Sequence, residues 1–421
     1  MERPLSGMSV FNKDYIISHW RQLFVITGIV ASRFFVFFQQ IVAAKFIDKH
    51  EFGLATLSFS MISIFLPILS LSFAELSYRY AHDSQSTAQA YDRYGGLISR
   101  VLPASFFMFA AAGCALFLLG YELSYPFHNI IYVYVNFWFV QTLGAYRVLG
   151  KDYAYSLALI RFSILSVSIL YVLLIGGWGY DALPVSAVSA CILSLAFKDV
   201  RWAFMHVYWS FLRIRTIQYA RLIYDVVLVA ITNMVSQAYL YLDIFVANYF
   251  FTPSDVADLR APSLIVIMAS VLPVMFFSYY APRMAGAKDF KAVHQYYKLY
   301  LKIVFPVGVM ILLIMFFATK LLISIMYGNE YSSAEALFKW YALIIFINLL
   351  VRAPIGNVLA LQGHYRFNLI LSSVFLLVMV MLQFLLSGSI GVAGIPIATL
   401  VVAMAAGAMS LRYYFVRLRA A

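Results

Sequence analysis

The sequence predicts an all-α polytopic membrane protein with twelve transmembrane helices, on three observations. Of 421 residues, 64% are hydrophobic and 11% charged, where soluble domains carry about 25% charged residues. Twelve apolar stretches each approach the roughly 20 residues that a spanning helix needs. The two halves of the chain also repeat one another in the order of their prolines and glycines, as two six-helix lobes around a central cavity would.

The stretches run over about 22–46, 52–75, 97–120, 127–149, 155–176, 182–199, 222–251, 262–281, 301–326, 334–361, 367–387 and 390–415. A polar arm, 1–21, precedes the first, and many spans follow it, so it reads as a span and not as a cleaved signal peptide. The second and eighth each carry a mid-span Leu-Pro, Leu66-Pro67 and Leu272-Pro273. The third and ninth open with a Tyr-rich approach and then a proline: Tyr91, Tyr94 and Pro103 against Tyr296, Tyr297 and Pro306. The fifth and eleventh follow Gly150 and Gly363. The sixth and twelfth begin Gly179-Tyr-Asp-Ala-Leu-Pro184 and Gly391-Val-Ala-Gly-Ile-Pro396. Prolines and glycines are common in spans, but four matches in one order and at similar spacing argue for a repeat. Six spans per half, an even number, insert both halves in one orientation. The expected division is an N-lobe over 22–199, a linker over 200–221, a C-lobe over 222–415 and a basic tail over 416–421. In the linker Trp202, Phe204, Tyr208, Trp209 and Phe211 stand beside arginines, which suits a helix lying in the membrane interface.

The net charge is +12, and its placement argues for topology and anionic lipid, not nucleic acid. Even-numbered loops are basic, with Lys198, Arg201, Arg213, Arg215 and Arg221 in one and Arg283, Lys288, Lys291, Lys298 and Lys302 in another. Odd-numbered loops are poor in cations: Lys45 and Lys49, then Arg260, Lys320 and Lys339. Cytoplasmic termini and cytoplasmic even loops follow from the positive-inside rule. Cys114 and Cys191 both fall in spans and read as small buried residues, with no disulfide framework.

Charges inside the spans are the candidate functional residues. Arg33, Arg161, Asp243 and Arg352 lie within long hydrophobic runs, where an arginine at the helix centre costs about 2.5–3.5 kcal/mol and normally faces a bundle interior or a wet cavity. Gln40, seven residues after Arg33, shares its helix face. In the seventh span Asp225, Thr232, Ser236, Tyr239 and Asp243 align as one polar stripe, and in the tenth Tyr341, Asn348 and Arg352 do so. Two readings stay open. Arg33 and Asp243 can pair structurally across the lobes, and Arg161 can snorkel to the surface. Alternatively the arginines meet a polar cargo, for which guanidinium offers bidentate contacts to phosphate.

Other chemistries lack their residues. Gly150-Lys-Asp has no phosphate-loop spacing, and His50-Glu-Phe-Gly-Leu has no second histidine for zinc. No nucleophile elbow is present. No cofactor or metal is implied, and the chain reads as a non-enzyme.

The chain resembles the polysaccharide-transport flippase branch (O-antigen, Wzx-type) of the multidrug/oligosaccharidyl-lipid/polysaccharide exporter superfamily, over about 20–415. The matching pieces are Phe38-Gln-Gln-Ile-Val-Ala-Ala-Lys45, His50-Glu-Phe-Gly-Leu54, Leu71–Arg79, Tyr241-Leu-Asp-Ile-Phe-Val-Ala247, Pro306 after the basic Tyr-rich loop, Tyr327-Gly-Asn-Glu-Tyr331 and Ser389-Ile-Gly-Val-Ala-Gly-Ile-Pro-Ile-Ala-Thr399. The resemblance implies a MATE-like V of two lobes that opens alternately to either side. It implies transport of undecaprenyl-diphosphate-linked oligosaccharide across the bacterial cytoplasmic membrane, in concert with polysaccharide polymerase and assembly proteins. The peptidoglycan-precursor branch has two further C-terminal spans, so twelve favour an O-unit or related exopolysaccharide repeat. On this reading Arg33, Gln40, Arg161, Asn348 and Arg352 line the substrate path, and Asp243 and Asp225 form gating ion pairs. Protons, sodium or the membrane potential are all open as driving forces. The rivals are a cation-coupled multidrug exporter of the same fold and an integral polysaccharide polymerase or transferase. The excess of arginines over acids in the spans weakens the first. The shortness of the longest expected outer loop, about 319–333, weakens the second.

Overall fold

The structure, a computed structural model, describes residues 28, 34–35, 37–69, 94, 96, 105–111, 124–149, 151–213, 219–285, 290–362 and 364–420. Among them every regular element is helical, as lipid requires of a backbone that has no water to bond. In the first half α1 (37–46) leads into α2 (Lys49–Leu69). Asp48 begins α2, its carboxylate accepting from the backbone N–H groups of His50 at 2.8 Å and Glu51 at 3.2 Å, donors that a helix start otherwise leaves unpaired. A short helix, α3 (105–111), precedes α4 (Ser124–Val148), α5 (Asp152–Ile175), α6 (Ala182–Ser194) and α7 (Lys198–Arg213).

In the second half come α8 (Tyr219–Phe250), α9 (Pro253–Ala269), α10 (Val271–Ala285), α11 (Phe290–Phe317) and α12 (Thr319–Met326). They are followed by α13 (Glu335–Ile347), α14 (Ala353–Leu361), α15 (Tyr365–Ile390) and α16 (Gly394–Ala420). The start of α9 is fully specified by local sequence. Thr252 and Asp255 form a reciprocal capping box around Pro253, whose missing N–H costs nothing at a first helical position.

Among the described residues five helical segments are long and apolar enough to cross a bilayer: Tyr153–Ile175, Pro253–Phe277, Val293–Phe317, Asn329–Leu359 and Arg366–Val416, the last running through both α15 and α16. A sixth arises if α6 and the start of α7 count as one span. They do not run straight: α7 turns 95° away from α6, which separates the linker helix from the sixth expected span. The ninth expected stretch divides at Ala318 into α11 and α12. The eighth begins earlier than its hydropathy suggests, because the capping box at Thr252 starts the helix before the apolar run does. Arg260, grouped with loops by the charge count, therefore lies inside α9, and Lys339, counted with the same loops, lies inside α13.

The repeat has matching local geometry. Gly179 and Gly391 both take positive φ, +56° and +72°, and each opens a single 3₁₀ turn, Gly179–Asp181 or Gly391–Ala393, just before α6 or α16. Glycine takes that conformation without the Cβ clash other residues meet. Within the first half α4 packs on α5, α6 and α7; within the second α15 packs on α8 and α16, and α13 on α9, α11 and α16. The halves meet where α2 lies against α8 and α9. Gly53 is needed at that crossing, since a Cβ there would lie 1.9 Å from the carbonyl oxygen of Pro253.

Candidate functional site

A buried polar contact joins α8 to α13, with α9 beside it. Asp243 is 7% exposed. Its Oδ2 accepts a hydrogen bond from Tyr341 Oη of α13 at 2.6 Å, and its Oδ1 accepts from the backbone N–H of Ile244 at 2.9 Å. Beside it stands Arg260 of α9, 1% exposed. The Arg260 charge acts on the Asp243 carboxylate without ion-pair contact. Its guanidinium carbon lies 5.7 Å from the Phe59 ring centroid of α2 and 5.3 Å from that of Tyr241 of α8, and its Nε and Nη1 have no hydrogen-bond partner. A desolvated cation over aromatic faces recovers about 2 kcal/mol or more, which offsets only part of the cost of burying it.

A second guanidinium approaches α8 from the tenth span. Residues Asn348–Arg352 form a π turn between α13 and α14. Pro354 explains part of it: with no N–H, it gives nothing to the carbonyl of Leu350 four residues back. Tyr297 Oη of α11 donates to that carbonyl instead, at 3.1 Å, and Tyr300 Oη donates to the carbonyl of Leu349 at 2.6 Å. The turn sets the Arg352 guanidinium carbon 3.3 Å from the centroid of the Tyr239 ring. Tyr239 Oη is buried and unpartnered. Arg260 and Arg352 thus bracket one stretch of α8 through Tyr241 and Tyr239, with Asp243 between helices at its end.

The first half holds neutral polar contacts. Gln39 of α1 donates to Ser166 Oγ of α5 at 2.6 Å and accepts from Tyr132 Oη of α4 at 2.6 Å. Asn129 of α4 donates to the Ala55 carbonyl at 3.1 Å and to Ser58 Oγ at 2.5 Å in α2, and accepts from Tyr180 Oη. These bonds tie α1, α2, α4 and α5 into one unit.

The residues proposed from sequence fall as follows. Asp243 and Tyr341 meet, and Arg352 lies against Tyr239, four residues earlier on α8. Asn348 begins the π turn and is partly buried. Gln40 is buried in α1 beside the bonded Gln39. Arg161 is occupied elsewhere: it pairs with Asp199 at the start of α7 at 3.2 Å and lies 4.9 Å over the Phe197 ring, so it ties α5 to the linker helix. Arg33 lies outside the described residues, as do the side chains of Asp225 and Thr232. Arg260 was hidden from hydropathy alone. The signal that exposes it is the Thr252-Pro253-Ser254-Asp255 cap, which starts a helix and puts Arg260 about two turns inside it. No group of three or more metal-ligating side chains occurs among the described residues.

No family model matches the chain in sequence, and no curated protein does. Its fold does have relatives among solved structures. A multidrug-resistance MATE family transporter of the MOP superfamily, in an inward-facing conformation, aligns with TM-score 0.65 and 14% identity over 93% of this chain and 98% of its own. An outward-facing MATE structure gives 0.65 and 13% identity over 95% and 94%. The lipid II flippase MurJ, in an inward closed conformation, gives 0.66 and 14% over 93% and 87%. At such identities the likeness establishes the fold: the chain is a helical membrane protein with the architecture those transporters share.

Proposed function

We propose that the chain is a flippase that carries an undecaprenyl-diphosphate-linked oligosaccharide, an O-antigen or related exopolysaccharide unit, from the cytoplasmic to the outer leaflet of a bacterial cytoplasmic membrane by alternating access. The observation that carries this reading is the pair of guanidinium groups, Arg260 and Arg352, set against α8 from within apolar helices in a MATE- and MurJ-like fold. A cavity built for cationic drugs would gather carboxylates, and here the acid between the helices, Asp243, is already bonded by Tyr341 and by the backbone N–H of Ile244. A lipid diphosphate needs multi-donor cations in a site that excludes water.

In this proposal Arg33, Gln40, Asn348 and Arg352 contact the cargo, and Arg161 contributes through the linker helix with which it pairs. Asp243 and Asp225 belong to the gating network. The MurJ neighbour, a lipid II flippase by name, supports a lipid-linked cargo; the MATE neighbours support the cation-coupled exporter as rival. Purified protein in liposomes with a fluorescent undecaprenyl-diphosphate sugar distinguishes them. The flippase moves the labelled lipid between leaflets without covalent change, and Arg33→Ala abolishes movement at equal protein level while Arg33→Lys keeps part of it. Efflux of cationic dyes with no lipid movement would overturn the assignment.

A further inference from the structure

Lys49 begins α2 in the first half of the chain, and among the described residues its ammonium meets groups of the second. Its Nζ lies 2.8 Å from Asp258 Oδ1 of α9, an ionic contact off the hydrogen-bonding direction. It donates to the backbone carbonyl of Glu330 at 3.0 Å and to Ser333 Oγ at 3.2 Å, and it stands 5.3 Å over the Tyr331 ring. Ser333 Oγ in turn donates to Asp258 Oδ2 at 2.6 Å. The side chains are 17% and 7% exposed, so this is a partly dehydrated pair, unlike the surface bridge Lys320–Glu335, whose lysine is 83% exposed at 4.0 Å. One turn further along, Gly53 lets the backbone of α2 touch that of α9 at Pro253. Nearby, Lys45 reaches the carbonyl of Ile325 at 3.5 Å.

These groups lie in the first turns of α2 and α9 and in the segment before α13, beside the connections that the charge distribution puts outside the cell. We infer that Lys49, Asp258, Ser333 and the Glu330–Tyr331 backbone form an outer latch that holds the two halves closed toward the exterior. The latch must break for cargo to leave. It rests on the alternating-access reading above.

The latch is asymmetric, one cation against many acceptors. When α2 swings away, Asp258 keeps Ser333 as a donor, and Lys49 passes into water at the mouth, where an ammonium is well hydrated. The ion pair favours the closed state, and in the open state Asp258 retains a hydrogen bond while Lys49 is hydrated, which keeps the switch reversible. Ile64, packed against Ala238 and Tyr241 of α8 deeper in the same crossing, is covered while the latch is shut.

The test is a cysteine reporter at Ile64, with Cys114 and Cys191 replaced by alanine, probed from outside by an impermeant maleimide in right-side-out vesicles. Lys49→Gln and Asp258→Asn should each raise the labelling rate about tenfold by shifting the population outward. The charge swap Lys49→Asp with Asp258→Lys should return labelling toward the native rate. A bifunctional thiol crosslinker joining cysteines at 49 and 258 should stop lipid translocation, and a reductant that cleaves it should restore it. Unchanged labelling in the single variants, or translocation that persists with the crosslink in place, would overturn the latch. Failure of the uncrosslinked protein to move lipid would instead strike the flippase reading and leave the labelling result standing.

Discussion

Arg260 is costly to place, since two of its donor nitrogens are buried without a partner. Replacing a buried charge with an apolar side chain of similar shape is often neutral or stabilising, by about 1–4 kcal/mol. Arg260→Met should therefore melt at the native temperature or above in detergent, while lipid translocation falls at least about tenfold. Loss of both together would make Arg260 a structural residue. Asp243 gives the complementary case. Its bond from Tyr341 is buried, so Tyr341→Phe, which leaves a buried acceptor without its donor, should destabilise by about 1–3 kcal/mol. Asp243→Asn should slow transport and leave cargo binding in place, with the bias toward one conformation read as a changed ratio of crosslinks across the two mouths. An unchanged ratio would remove Asp243 from gating.

At the scale of elements, the π turn of the tenth span is the irregularity most directly tied to the site. An extra residue per turn re-aims the side chains beyond it, and such turns recur at functional sites. Pro354 and the hydroxyls of Tyr297 and Tyr300 maintain it here. Pro354→Ala returns an N–H to the ladder and should let the segment relax into a regular α-helix. Arg352 then rotates away from Tyr239. The expected outcome is a protein of normal abundance with impaired translocation. Tyr297→Phe, which strips one carbonyl of its donor, should show a weaker version of the same defect. Native transport in Pro354→Ala would assign the turn to packing alone.

For the whole molecule, sidedness and driving force are the open quantities. Cysteines at Trp178 and Ser389, both exposed, should react with an impermeant reagent from outside, and one at Lys288 should not; labelling at 288 would invert the topology. A diphosphate carries roughly two negative charges, and moving each outward along an inside-negative potential releases about 2.3 kcal/mol per 100 mV. Return of an empty carrier whose arginines cross the field would oppose this, so net cycling should depend on voltage. An imposed potassium-diffusion potential should change the flipping rate at constant pH and sodium. A rate indifferent to voltage that follows a proton or sodium gradient would reject charge-driven export and keep the flippase.

Composition and periodicity alone determined the class, because lipid permits a long apolar chain little besides helices, and hydropathy reads their sequence directly. One pair of positions matched between the halves was legible for a similar reason: Gly179 and Gly391 both take positive φ, a demand that only residue type can meet cheaply. The polar stripe through Tyr239 and Asp243 was visible because helical periodicity aligns it on one face. Which partner each charge finds was not. Asp243 is bonded by Tyr341, ninety-eight positions away, and Arg161 is held by Asp199. Lys49 is held by groups more than two hundred positions distant. Such pairings depend on how helices from the two halves cross, and a crossing is decided by packing summed over whole faces, which no local pattern encodes. Arg260 shows the boundary between the two kinds of knowledge. The capping box written in residues 252–255 fixes its depth along α9, while its place between Phe59 and Tyr241 exists only once α2 and α8 close upon it.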